Sequence, residues 1–325
     1  MVVGAAGSAQ GRSDVTAIDR QRDRGDCTKR LALGMHTGAF NTAYFSFPRA
    51  VEWARRHGLR NIECGFVDGV TWNHGLGYFP HVASWEDPRA IRELLDEHGV
   101  ALSQLDAAFP ISGREGPSVG VPYVRNALRW AALAGCPLVD TTDGLRRPEG
   151  MSDEDALRDM RTSYARIMET AERYGITVTI ETHGYFTTNP ELLQRMLDFV
   201  DTPRLRMTFD IGNVYIAGRD PREFLTRFID RVAHVHIKDV TSELDQSERG
   251  KLTGIGMSRS AIGEGRNAVN IVECVRLLKS FGYCGAMSLE CDAQGGPVMQ
   301  RSLEWFCGVL DAEGYAHDCP PGTDA

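Results

Sequence analysis

Four short runs in the second half of the chain end in residues that can do chemistry. They are Val178-Thr179-Ile180-Glu181, Met207-Thr208-Phe209-Asp210, His234-Val235-His236-Ile237-Lys238-Asp239 and Met287-Ser288-Leu289-Glu290. Each alternates apolar and polar residues with the two-residue period of a β-strand. Val178, Ile180, Met207, Phe209, Val235, Ile237, Met287 and Leu289 then share a face that can pack beneath helices. Glu181, Asp210, His234, His236, Lys238 and Glu290 share the other. On neighbouring strands, three carboxylates and an imidazole would converge. Like charges buried together repel and lose their hydration, so they take up protons or a cation. Three carboxylates with one neutral nitrogen form a hard, mostly oxygen ligand set, which suits Mn2+, Mg2+ or Co2+ and can accept Zn2+. A single strand-end acid is commonly a helix cap or half of an ion pair. The repetition on four successive strands is what points to a metal. Strand direction alone leaves His234 and His236 open as the imidazole.

The elements that must position these groups follow a regular order. Strands are expected at 31–36, 60–64, 100–107, 137–141, 176–181, 205–210, 232–238 and 285–290, with helical patterns between them. Helix starts are marked by Asp87-Pro88, Asn189-Pro190 and Asp220-Pro221, each a capping side chain before a proline at the first helical position. Ser152-Asp153-Glu154-Asp155 resembles a capping box opening a helix over 153–174. Eight β-strands, each followed by a helix, favour an α/β fold closed as a (β/α)8 TIM barrel over an open sheet. The expected organisation is an N-terminal tail over 1–28, one catalytic barrel over 29–313 and a C-terminal tail over 314–325. Two loops exceed connector length. Residues 65–86 carry Phe66, Trp72, His74, Tyr78, Phe79, His81 and Trp85, a candidate sugar-stacking wall; residues 240–268 carry Gly254, Gly256, Gly263, Gly265, Arg259 and Arg266. Both follow strands, so both fall on the face where barrels keep their active sites.

The bulk properties narrow the function. A net charge of −8 supplies no basic field for nucleic acid. No run of 18 apolar residues exists to span a membrane. The eight cysteines form no C-x-x-C pair and no zinc-ribbon spacing, and read as free thiols in the cytoplasm.

With these motifs in view, the chain resembles the xylose isomerase-like TIM barrels, which include sugar isomerases and epimerases, inosose dehydratase and repair endonucleases of the endonuclease IV type. The resemblance spans about residues 31–310. It is carried by Ile180-Glu181-Thr182-His183-Gly184, Phe209-Asp210-Ile211-Gly212-Asn213, His234 to Asp239, Gly263-Glu264-Gly265 and Leu289-Glu290. It implies Glu181, Asp210, His236 and Glu290 as metal ligands, and so selects His236. The extra histidines of the trinuclear repair enzymes are missing: Asn213 and Met257-Ser258-Arg259 stand where two of their ligand elements would be. DNA cleavage is therefore the last of the readings.

One divalent cation, Mn2+ first with Mg2+, Co2+ or Zn2+ as alternatives, would bind a ketose or keto-sugar through its carbonyl and stabilise an enediolate. The resemblance makes Glu181 and Glu290 the bases that remove and return the proton. His183 is a further acid/base or hydroxyl-binding candidate, and Asn213, Lys238, Asp106 and Trp72 are substrate-binding candidates; Glu63 faces the pocket by direction only. Lys238 could equally pair with Asp239 or Glu264. The expected activity is sugar isomerisation or epimerisation. The alternative is a lyase or dehydratase acting on an inosose or 3-keto-glycoside by β-elimination, including C-glycoside cleavage. A non-catalytic sugar-binding subunit ranks below both. The expected partner is a small carbohydrate, with no nucleic acid or membrane, in a homo-oligomer or with a partner subunit.

Overall fold

A computed structural model describes residues 30–41, 44–69, 79–144, 146–251, 256–292 and 295–318. Eight parallel strands form the barrel: β1 (Ala32–His36), β2 (Asn61–Val67), β3 (Ala101–Pro110), β4 (Leu138–Thr142), β5 (Thr177–Glu181), β6 (Leu205–Asp210), β7 (Val232–Ile237) and β8 (Ala286–Leu289). Each pairs in parallel with the next, and β1 pairs with both β8 and β2, which closes the sheet. A two-residue strand, Val82–Ala83, adds outside β2.

Ten α-helices cover the barrel among the described residues: α1 (Phe47–Arg56), α2 (Pro88–His98), α3 (Val121–Ala134), α4 (Asp153–Tyr174), α5 (Pro190–Leu197), α6 (Ile211–Ile216), α7 (Pro221–Phe228), α8 (Ser242–Glu248), α9 (Ala268–Phe281) and α10 (Gly296–Ala312). The cap residues act as their types dictate. Asp87, Asn189 and Asp220 accept backbone N–H bonds at the starts of α2, α5 and α7. Ser152 accepts from the Asp155 N–H at 3.1 Å. The reciprocal half of the expected capping box differs, because Asp155 accepts from the Ser152 hydroxyl where a capping box uses the backbone N–H.

The alternation of the strands sorts the core. Val178, Ile180, Met207, Phe209, Val235, Ile237, Met287 and Leu289 are fully buried on the outer face. The barrel interior is unusually polar. Glu63, Gln104, Asp140, Thr179, Thr208, His234 and Ser288 are all fully buried there, where barrels commonly stack branched apolar side chains. They survive burial by bonding one another. Gln104 Nε2 donates to Glu63 Oε1 at 2.9 Å, and the Thr179 and Thr208 hydroxyls donate to Asp140 Oδ1 at 2.5 and 2.8 Å. This layer is the floor of the strand-end site.

Three expectations change. Strands β2 and β3 run three residues further than expected, to Val67 and Pro110. Residues 314–318, expected in the tail, pack against β1: Leu31 N donates to Ala316 O at 2.8 Å, and Asp318 Oδ1 accepts from Leu33 N at 2.8 Å. Cys64, Cys136, Cys274, Cys284 and Cys291 are free, but Cys307 is disulfide-bonded, contrary to the expectation of free thiols throughout. No described helix is long and apolar enough to cross a membrane.

Candidate metal and proton-transfer site

The register of β5 to β8 brings the strand ends level. Glu181 lies beside Thr208, Asp210 beside His236, and His236 beside Ser288. One ligand atom from each of Glu181, Asp210, His236 and Glu290 lies within 4.8 Å of every other. His236 Nδ1 is the hub, at 3.1 Å from Glu181 Oε1, 3.3 Å from Glu290 Oε2 and 3.7 Å from Asp210 Oδ2. Asp210 also caps α6, its Oδ1 accepting from Asn213 N at 2.7 Å, so its carboxylate cannot swing away.

The two inward histidines of β7 separate by depth. His234 lies one pleat lower, with Nε2 at 3.0 Å from both Glu63 Oε2 and Ser288 Oγ. Glu63 also holds His236 from behind, with both carboxylate oxygens 3.0 Å from Nε2. That contact turns Nδ1 toward the three acids, the support that metal-binding histidines commonly receive. Glu63, His234 and His236 form a second cluster of ligand types, but their mutual hydrogen bonds already account for it. The upper cluster differs. Asp210 Oδ2 and Glu290 Oε2 are buried without a hydrogen-bond partner, which is costly for an anion. A cation between them would satisfy both, so the donor set fits a divalent ion.

Two proton-carrying side chains flank the acids. His183 Nδ1 is 3.2 Å from Glu181 Oε2, and Lys238 Nζ is 3.0 Å from Glu290 Oε1 and 3.2 Å from Asp292 Oδ1. Lys238 therefore pairs with Glu290 and Asp292, and neither Asp239 nor Glu264 is its partner. Asp239 instead accepts from the backbone of Gly263, Gly265 and Asn267, organising the Gly-Glu-Gly loop, while Glu264 pairs with Arg301. The Lys238 stem runs over Gly212, where a Cβ would lie 2.7 Å from its carbons. That approach explains the glycine in Phe209-Asp210-Ile211-Gly212-Asn213.

The charges respond to this packing. Burial pushes Asp210 up to about 7, with Glu290 adding to the rise. Burial would also raise Glu181, but the charge and hydrogen bond of His183 and the contact with His236 hold it at about 2. His183 rises to about 9 because Glu181 outweighs its desolvation. Burial likewise opposes ionisation of Glu290, and Lys238 and His236 pull it well below the usual carboxylate range.

Asn213 joins the site by donating from Nδ2 to Glu181 Oε1 at 3.3 Å. Asp106 does not touch the four-group cluster; it faces His36 across 3.7 Å. Trp72 lies outside the described residues. Arg259 and Arg266 are exposed. Two functional candidates were missed. His36 ends β1, so the strand-end alternation that found the other groups applies to it; Asp292 lies beyond the end of β8.

A parallel barrel with a buried acid–histidine centre at its strand ends defines the class of protein. The chain belongs to the xylose isomerase-like TIM barrel family, which it matches over residues 51–308. An inosose dehydratase of Clostridium perfringens (strain 13) is 23% identical over 310 residues, 93% of each chain. Three further curated relatives match over 136, 146 and 195 residues, and the chain spans about half of their length. Among solved structures, a D-tagatose 3-epimerase-like protein shares the fold at a TM-score of 0.69 and 22% identity, over 87% of this chain and 98% of that one. The IOLI protein, solved with a bound zinc atom, has a TM-score of 0.67 at 15% identity, over 87% and 99%.

Proposed function

We propose that this chain is a divalent-metal-dependent isomerase or epimerase that moves a proton at a carbon beside the carbonyl of a ketose or keto-sugar. One observation carries the reading. Glu181 and Glu290 each turn one oxygen to His236 Nδ1, at 3.1 and 3.3 Å, and the other to a proton-carrying side chain, His183 or Lys238. Two carboxylates so arranged can act as a pair, one removing a proton and the other returning it. Glu181, Asp210, His236 and Glu290 would hold the ion, which when bound supplies the Lewis acidity that makes the C–H acidic. His183 and Lys238 sit where they can bond substrate oxygens and re-protonate the glutamates, and Asn213 holds Glu181 in place. Mn2+ suits the oxygen-rich set best; the zinc in the IOLI protein keeps Zn2+ as the alternative.

A second reading, a lyase of the same site, is favoured by the inosose dehydratase relative and by Lys238, whose ammonium could assist departure of a β-oxygen. Proton NMR in D2O with a panel of ketoses and 3-keto-glycosides separates the two. Deuterium at an epimerised or isomerised carbon supports the first; loss of water or aglycone without such a product replaces it with the second. The small-carbohydrate partner follows from either. Among the described residues five cysteines are free and Cys307 is bonded, and the cytoplasmic setting rests on the five.

A further inference from the structure

Strand β1 leaves the barrel beside the four-group cluster without contributing to it. Met35 is in register with Leu289 of β8, and both are fully buried on the outer face. The next residues, His36 and Glu290, therefore point inward from adjacent strands at one level. On the other edge of β1, His36 is in register with Glu63. Its ring centroid lies 6.2 Å from that of His236. Around the mouth of the barrel, His36 thus flanks Glu290 as His183 flanks Glu181.

The two flanking imidazoles differ in what they have left to offer. His183 commits Nδ1 to Glu181 Oε2 at 3.2 Å. His36 instead caps the turn that follows its own strand, where Gly38 N–H donates to Nδ1 at 3.0 Å. A Cβ on Gly38 would lie 2.7 Å from that nitrogen, so the glycine lets the backbone close on the ring and fix its direction. With Nδ1 accepting, the neutral ring carries its proton on Nε2. Nε2 faces Asp106 Oδ2 across 3.7 Å, too far for a direct hydrogen bond. The side chain keeps 13% of its surface exposed and lines a cavity of about 540 Å3, so a ligand can reach it. A fixed N–H with no bonded acceptor among the described residues is a binding group for an oxygen.

The proposed reaction indicates which oxygen. The carbonyl and the hydroxyl next to it are held at the four-group cluster, and the carbon that exchanges its proton lies between Glu181 and Glu290. The remaining chain of the substrate must leave past one glutamate or the other. Past Glu290 it meets His36.

We propose that His36 is a substrate-binding residue whose Nε2–H donates to a third substrate oxygen, on the carbon beyond the carbonyl and its neighbouring hydroxyl. The site then selects compounds oxygenated at that carbon over their deoxy analogues. This rests on the proposed function for the placement of the first two oxygens.

Two small probes isolate the third oxygen. Hydroxyacetone has a carbonyl and one adjacent hydroxyl; 1,3-dihydroxyacetone adds a hydroxyl on the far side of the carbonyl. Their dissociation constants on the full chain loaded with Mn2+ are read from the relaxation of the probe protons, for wild type, His36→Phe and His36→Gln. Circular dichroism and Mn2+ affinity check that fold and metal site survive. Wild type is expected to bind dihydroxyacetone about tenfold more tightly than hydroxyacetone. His36→Phe loses the preference, and His36→Gln, which retains an N–H donor, keeps part of it. The 15N resonance of His36 Nε2 in the wild-type chain loaded with Mg2+ gives a readout that needs no variant: it shifts with dihydroxyacetone and not with hydroxyacetone. Equal affinities in wild type, a preference unchanged in His36→Phe, or a resonance that both probes leave unmoved overturns the proposal. Failure of the metal-dependent reading looks different: the chain takes up no Mn2+, neither probe changes its relaxation, and the role of His36 falls with it.

Discussion

Both carboxylate oxygens of Glu63 lie 3.0 Å from His236 Nε2, and Nδ1 of the same ring faces Glu181, Asp210 and Glu290. A residue of β2 thereby sets the direction of a ligand on β7, across the barrel interior. Removing the charge while keeping the shape, as in Glu63→Gln, is expected to lower metal affinity by about 10–100-fold. Calorimetric titration with Mn2+ measures it. Unchanged affinity would mean that packing alone orients the ring.

The paired glutamates make a sharper demand. Glu181→Gln and Glu290→Gln are each expected to lower turnover by about 10²–10⁴-fold, the range of a lost acid/base group. Deuterium incorporation should fall with them in single-turnover experiments under saturating metal. Near-normal turnover in Glu290→Gln would remove it from the proton path.

Lys238 is fixed between two acids, and its loss removes the ammonium that Glu290 Oε1 and Asp292 Oδ1 both face. Breaking a buried pair in this way costs about 3–5 kcal/mol. Urea unfolding of metal-free Lys238→Met should show a loss of that order, with a smaller loss for Gly212→Ala, whose added methyl would press on the lysine stem. Stability equal to wild type in both would show the ion pair to be incidental.

Metal uptake should depend on pH with a definite sign. Burial, with Glu290 adding, raises Asp210 to about 7, while Glu63 and the cluster acids outweigh desolvation and raise His236 well above its usual value. Both must lose a proton to act as ligands. Apparent affinity therefore falls as pH drops, first above neutrality where His236 takes up its proton and further through about 7 where Asp210 does, and binding releases protons. Titrations in buffers of different ionisation enthalpy measure the release. Affinity independent of pH would place the ion elsewhere.

Much of this was legible in the sequence, for a physical reason. Strand alternation fixes which face a side chain takes, so Glu181, Asp210, His236 and Glu290 could be grouped before any contact was known. It does not fix depth, and so left His234 and His236 open; the family resemblance selected His236, and in the structure Glu63 and Ser288 hold the lower ring. The partner of Lys238 was missed because Asp292 lies beyond β8, in a segment whose path depends on tertiary packing. The polar floor of Gln104, Asp140, Thr179 and Thr208 arises only when strands distant in sequence close on one another. His36 and Asp106 likewise become a pair only through the neighbouring register of β1, β2 and β3.

Element analysis of the purified chain, before and after dialysis against a chelator, tests the central claim most directly when paired with the turnover of each sample. A divalent ion bound in a one-to-one ratio, activity lost with it and recovered on adding Mn2+, is the expected result. A folded chain stripped of metal that turns over its substrate at the full rate would contradict it.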